Sequence, residues 1–422
     1  MDRLRRVDFG LLYTLQMLGH ISVTMVFSLL PSVGRTAGIP DTLIVLTQAL
    51  SAIAWIVVGG FWTRMAARRG RKVVILIGAL GLFLACLMTG GAIWIAVEHL
   101  VPPLAGLAIM MVGRSLNGGV GLAGTPASQS YIIERVTRER RTVMLARLAS
   151  AQAIGTVIGP AVAPFLTHMP GVGLAGPMLV VSGLVLVMVP FLFLLPADAP
   201  MPANELAQAA PVAAMREPVW RMPAMRAFLI YSTIVALAVL GTIQSVGFLI
   251  IDALRLDPEN AQPWIGRAIA AGALATLTVQ LVVIPLVRPS PRTMMIGAPL
   301  ISIAGLALLS AHPGYGLIVA GVMIANAGFA LARPGVATAA SYLVGVERQT
   351  EVAGSLMSTA SVATVLGPVL AVSLYGIWRP FPYLALIVLL AGACAIALRH
   401  RYDESTEPVR DGMIADETAP LA

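Results

Sequence analysis

Residues 113–160 read GRSLNGGVGLAGTPASQSYIIERVTRERRTVMLARLASAQAIGTVIGP, and this stretch decides the fold. It opens with Arg114 inside an otherwise apolar segment and crosses an Arg-rich patch. It closes on Gly155-x-x-x-Gly159-Pro160. Apolar residues on both sides of a basic patch are the pattern of two membrane spans joined by a short turn. The rest of the chain repeats that pattern. Of 422 residues, 58% are hydrophobic and 11% charged, against about 25% charged in a soluble domain. The apolar residues fall in long runs divided by short polar breaks, so lipid is the expected surroundings.

A weaker copy of the stretch lies about two hundred residues on. Glu139-Arg-Arg-Thr142 recurs as Glu347-Arg-Gln-Thr350, and Gly159-Pro160 recurs as Gly367-Pro368, both shifted by 208 positions (347 − 139). Asn117 pairs with Asn326 at a shift of 209. Two landmarks sharing one shift predict two parallel repeats, with a binding site at their interface near the bilayer midplane.

Twelve apolar runs are expected, giving an all-α integral membrane protein of two six-helix bundles. They lie at about 9–30, 42–62, 73–97, 104 to beyond Pro126, 143–166, 177–195, 228–251, 264–286, 293–310, 317–342, 352–375 and 382–398. The first exceeds the ~7–15 residue core of a cleaved signal peptide, and no clean small-x-small site follows it. The bundles are placed at 1–195 and 227–398. Between them the Pro- and Ala-rich segment 196–226 reads as a cytoplasmic linker, and 399–422 as a charged, disordered cytoplasmic tail. Orientation follows from charge. With both termini cytoplasmic, four basic residues lie outside (Arg35, Arg255, Arg267, Arg379), two fall within spans (Arg114, Arg333), and the remaining 22 of 28 are on the cytoplasmic side. That asymmetry reads as a multi-pass protein of the inner or plasma membrane. The net charge of +8 is therefore read as orientation, with no nucleic-acid partner.

Composition also excludes some functions. The single lysine, Lys72, is followed by Val73, so no phosphate-binding Gly-Lys-Ser/Thr loop exists to hydrolyse ATP. His-Glu-x-x-His is missing too. Cys86 and Cys394 both lie in apolar runs and imply neither a disulfide framework nor a metal site. No enzyme activity and no cofactor are expected.

Three motifs resemble those of the major facilitator superfamily, and within it the drug:proton antiporter (multidrug efflux) branch. After the second run, Arg68-Arg69-Gly70-Arg71-Lys72 fits the second half of the family's loop motif Gly-x-x-x-Asp-Arg-x-Gly-Arg-Arg/Lys. Thr63 and Ala67 replace its Gly and Asp. In the family that Asp joins a charge network holding the cytoplasmic gate shut. In the fourth run Arg114-Ser-Leu-Asn117-Gly118 resembles Arg-x-x-Gln-Gly. In the fifth, Gly155-x-x-x-Gly159-Pro160 resembles the motif that marks exporters, with Ala163-Pro164 where the branch has Gly-Gly. The resemblance covers about residues 8–400. It implies a monomeric secondary transporter whose partners are a small molecule and protons, driven by the proton gradient.

Counting from Leu104 at ~1.5 Å per residue, Arg114 lies about 15 Å deep, near the bilayer centre. A cation there costs at least ~2.5–3.5 kcal/mol, so it must face an aqueous cavity or bond to neighbouring helices. The resemblance implies that the first and fourth helices of each half line the cavity. The candidates for the substrate and proton pathway are Gln16, His20, Thr24, Arg114, Asn117, Gln244, Asn326 and Arg333. Gln16, His20 and Thr24 share one helix face. Gating and helix packing are assigned to Arg68, Gly70, Arg71, Lys72, Gly155, Gly159, Pro160, Gly367 and Pro368. Glycines permit close helix approach, and Pro160 frees the carbonyl of Thr156 and bends its helix. Gln48, Gln152 and Gln280 are read as interhelical hydrogen-bonders. No carboxylate stands in mid-span, which leaves His20 as the titratable group near neutral pH; an ordinary packing role for it is the alternative. Two arginines without an acid suit an amphiphilic neutral or anionic substrate, a drug or a metabolite such as a siderophore, better than a lipophilic cation. An importer on the same fold and a non-transporting membrane protein are the competing readings.

Overall fold

The twelve apolar runs become helices that start and stop on identifiable residues. The computed structural model describes residues 4–197, 219–311, 314–344 and 348–399. Most of the expected linker, the expected tail beyond Arg399, and Glu347 of the repeated turn lie outside the described residues. The first half contains α1 (Arg6–Thr36), α2 (Asp41–Arg69), α3 (Arg71–Val97), α4 (Pro103–Gly119), α5 (Gly124–Arg135), α6 (Arg138–Leu166) and α7 (Gly176–Leu192). The second contains α8 (Pro223–Leu254), α9 (Pro258–Val287), α10 (Pro291–Ser310), α11 (Tyr315–Ser341), α12 (Gln349–Ile377) and α13 (Phe381–Arg399). Pro103, Pro177, Pro223, Pro258 and Pro291 stand at the first or second position of their helices. There the missing N–H has no partner to lose and the fixed φ favours the helix.

Among the described residues, eleven helices are long and apolar enough to cross a membrane. The twelfth crossing is α4 plus α5, separated by a 3-10 turn at Gly121–Ala123. The sequence reading of an unbroken helix past Pro126 is corrected here: Gly118, Gly119, Gly121 and Gly124 let the chain unwind at mid-span. The basic loop expected at 63–72 is also mostly helical. Only Gly70, at φ +92°, separates α2 from α3, a conformation that a side chain would strain.

The two halves are alike in their packing. In the first, α1 lies along α6; in the second, α8 lies along α12. A Cβ on Gly159 would stand 2.9 Å from the carbonyl of Ile21 on α1. One on Gly367 would stand 3.2 Å from Cβ of Leu240 on α8. The repeated Gly-Pro is thus a repeated close helix contact.

Between the halves, several close contacts lie toward the ends of the spans away from the chain's N-terminus (the far end). Gly247 of α8 meets Pro31 of α1 so closely that a Cβ would lie 2.4 Å from its ring. Gly266 of α9 sits against the carbonyl of Pro160 and the ring of Pro164 on α6, each 2.6 Å from a built Cβ. Gln262 of α9 donates from Nε2 to Ser28 Oγ of α1 at 3.1 Å.

Candidate functional site

The break in the twelfth crossing organises the polar centre of the molecule. Gly118 packs against the backbone of Ser51 on α2, and the indole Nε1 of Trp62 donates to the carbonyl of Gly119 at 2.5 Å. That bond occupies one of the carbonyls left free at the end of α4. The same close approach sets Gln48 of α2 beside Arg114 of α4, and Arg114 Nη2 donates to Gln48 Oε1. Arg114, Gln48 and Asn117 are each at least 97% buried. Arg114 Nε, Gln48 Nε2 and both side-chain atoms of Asn117 have no hydrogen-bond partner among the described residues. Buried polar atoms are normally paired, so this cluster carries unused donors and an unused acceptor.

A cavity of about 160 Å³ lies over these groups. It is lined by Val23 and Phe27 of α1, Gln48, Ser51, Ala52 and Trp55 of α2, Arg114, Asn117, Leu122, and Ser361 and Thr364 of α12. The lining therefore comes from both halves and holds one cation, neutral polar groups, apolar and aromatic walls, and no carboxylate. Such a site favours the anionic or neutral polar end of an amphiphile, because a cation there would meet Arg114 without a counter-charge.

The other predicted pathway residues are distributed more widely. Gln16 is fixed within the first half: Thr125 Oγ1 donates to its Oε1 at 3.2 Å and Gln152 Nε2 donates to the same atom at 3.3 Å. Thr24 lies in the α1–α6 seam, donating to the carbonyls of His20 at 2.9 Å and Gly155 at 3.2 Å. His20 is half-buried and shares the face of α1 that carries Phe27, seven residues on. Gln244 is fully buried, and neither of its amide atoms has a partner among the described residues. Asn326 donates to the carbonyl of Val322 at 2.9 Å and lies against Gly272 of α9. Arg333 is exposed, and its Nη2 lies 3.6 Å from Met357 Sδ of α12. Only Arg114 and Asn117 of the predicted pathway line the cavity.

The basic turn does more than mark a side. Arg71 is 94% buried and paired with Glu134 at the end of α5, and Lys72 Nζ donates to the carbonyl of Phe193 at 2.8 Å. Arg68 is exposed. Arg71 and Lys72 thus hold α3 to the ends of α5 and α7.

One cluster escaped the sequence reading, which noted only that no carboxylate stands in mid-span. At the far end Arg35 of α1 contacts Asp252 of α8 at 2.5 Å and Asp41 of α2 at 2.9 Å. Tyr375 of α12 donates to Asp252 at 2.7 Å, and Arg379 Nε lies 3.5 Å from it. Arg35 also stacks over Phe248, 5.3 Å from the ring centre. Arg35 and Asp252 are remote in sequence and join the two halves, so they act as a clasp. Such close, part-buried charge pairs couple by about 1.5 kcal/mol or more. Asp252→Asn is therefore expected to raise labelling of a Thr364→Cys variant from the far-end side by roughly tenfold. Cys86 and Cys394 are buried, so the background is low; unchanged labelling would remove the clasp from gating.

A two-half helical bundle with a polar cavity between the halves has close counterparts. A family model described as Major Facilitator Superfamily matches residues 12–359. The chain belongs to the major facilitator superfamily. Similar solved structures include a D-xylose–proton symporter, with a TM-score of 0.71, 14% identity, and 92% of this chain and 97% of that one covered. The nucleoside transporter NupG is similar with a TM-score of 0.69, 14% identity and coverage of 93% and 98%. So is a bacterial homologue of the human lysosomal transporter Spinster in an inward-facing, unoccupied conformation, at 0.68, 16%, 93% and 97%. A comparison with curated proteins gives no match. At these identities the structures carry the fold alone. The superfamily establishes a multi-pass membrane transporter of small molecules, and its neighbours include a symporter.

Proposed function

We propose that this major facilitator protein is a proton-coupled exporter of a small amphiphilic neutral or anionic molecule, working by alternating access. The observation that carries this reading is the Arg114–Gln48–Asn117 cluster: a buried cation with unused donors, in a cavity lined by both halves and free of carboxylates. Charge asymmetry supports cytoplasmic termini in the cell membrane. The far-end clasp and the Gly266–Pro160 contact support a conformation closed to the outside.

Export rests on the role of α6 in that conformation. Gly155 and Gly159 press one face of α6 onto α1, while Pro160 and Pro164 press another onto α9 of the opposite half. One helix thus carries movement of the first half across the seam, and its motif is the one that resembles exporters. Protons enter through His20, the imidazole on the face of α1 that carries Phe27. His20 lies against Gly155 in the α1–α6 seam, so its protonation state acts on the substrate through the movement of those two helices and not through attraction of an anion.

Everted membrane vesicles energised with an inward-acid gradient test both parts. A panel of anionic and neutral amphiphiles is expected to accumulate, while matched lipophilic cations do not. His20→Gln is expected to abolish the dependence of accumulation on the gradient while leaving substrate counterflow intact. Gradient-driven accumulation by His20→Gln at the wild-type rate across the pH range would exclude His20 as the coupling group. Accumulation only in right-side-out cells would reverse the direction.

A further inference from the structure

A second cavity, of about 540 Å³, lies at the N-terminal end of the bundle, apart from the transport site. Leu4, Arg5, Arg6 and Phe9 from the start of α1 form one wall. Val136, Arg140, Val143, Met144 and Arg147 form the other. Among the described residues, the lining thus combines four arginines with apolar side chains and holds no acid. Asp8 is engaged with Arg5, at 2.7 Å, and Arg5 also donates to the carbonyl of Leu194 at 2.8 Å. Further along the same two helices, Tyr13 Oη and Ser150 Oγ meet at 3.3 Å.

We infer that this cavity binds the phosphate headgroup of an anionic phospholipid from the adjoining leaflet. Three features carry the inference. Arg140, Met144 and Arg147 share one face of the first turns of α6, before the apolar residues that follow Ala151, so both arginines lie near the level of the membrane interface. A cation at that depth, exposed on the helix surface, is stabilised by an anion held at headgroup level. The helices α1 and α6 also both begin here, and the first turn of α6 reads Arg138-Glu139-Arg140-Arg141. An anion bound beside two helix N-termini interacts favourably with both dipoles. Finally, the walls are greasy and open to lipid: Val143 is 50% exposed. A free phosphate would use the arginines and leave that apolar surface wet, whereas a phospholipid covers both. Basic pockets between helices at this level are a recognised form of headgroup site.

The test uses the full-length protein released from nanodiscs of equal phosphatidylcholine and phosphatidylglycerol, with retained lipid counted by native mass spectrometry. Wild type is expected to retain phosphatidylglycerol preferentially. Arg6→Gln and Arg147→Gln are each expected to reduce that preference about fivefold, and Arg255→Gln, at the far end, to leave it unchanged. Millimolar inorganic phosphate is expected to leave the bound lipid in place. Each variant is checked for helix content and a single elution peak, and Arg6→Gln and Arg147→Gln are read independently. Equal retention by wild type and the arginine variants would overturn the inference. Displacement of the lipid by inorganic phosphate would also overturn it, in favour of a free-anion site. Either failure leaves the proposed transport function standing, since the two cavities share no residue.

Discussion

An Arg114→Met variant is expected to insert, fold and lose transport by roughly 30-fold or more. Methionine keeps most of the side-chain volume while removing the charge and all five donors. Replacing a buried cation with an apolar group of similar size is often neutral for stability. The amide of Gln48 then loses its partner, at a cost of about 1–3 kcal/mol, and the double variant Arg114→Met/Gln48→Met recovers that loss. Transport is not recovered, because the donors that face the cavity are gone. This pairing separates two roles for the arginine. If Arg114 only pins α2 to α4, stability and transport fall together in the single variant and return together in the double. Arg114→Lys falls between, since an ammonium keeps the charge but not the planar fork. Thermal unfolding and substrate counterflow on the same preparations give both readings.

The second large effect is expected at Gly118. A Cβ built there would stand 1.8 Å from the carbonyl oxygen of Ser51 and 2.6 Å from its carbon. These are backbone atoms, so no rotamer change relieves the clash, and α2 and α4 must separate. Overpacking of this kind costs about 1–3 kcal/mol and occasionally more. Separation also pulls Gln48 from Arg114, so Gly118→Ala is expected to lower both the melting temperature and transport. Its neighbour provides the control. Gly119 has nothing within 4 Å of a built Cβ, and Gly119→Ala is expected to fold and transport close to wild type. Equal behaviour of the two variants would show that the α2–α4 approach does not shape the cavity.

Most of the fold could be read from the sequence because membrane spans announce themselves locally. Long apolar runs, proline at helix starts and the shared shift of 208 residues need no knowledge of contacts. The break between α4 and α5 was harder to see. Four glycines were visible, but whether they pack neighbours closely or unwind the helix depends on Ser51, Leu82 and Trp62 from other elements. The site shows the same division. Arg114 and Asn117 stood out because charge and amides are costly at mid-span. Gln48, 66 residues away, is joined to Arg114 only by folding. Helical periodicity grouped Gln16, His20 and Thr24 correctly on one face, but could not show that α6 covers much of it. The clasp was missed for another reason. Arg35, Asp41 and Asp252 each look like ordinary helix-end charges, and their meaning arises from a meeting across 217 residues.

The most direct test of the account is gradient-driven transport in proteoliposomes, comparing an anionic amphiphile with its cationic analogue of the same size. The anion is expected to move against its gradient when a pH difference is imposed, and Arg114→Met is expected to remove this movement while the protein stays folded. Preferential movement of the cation, or undiminished transport of the anion by Arg114→Met, would contradict it.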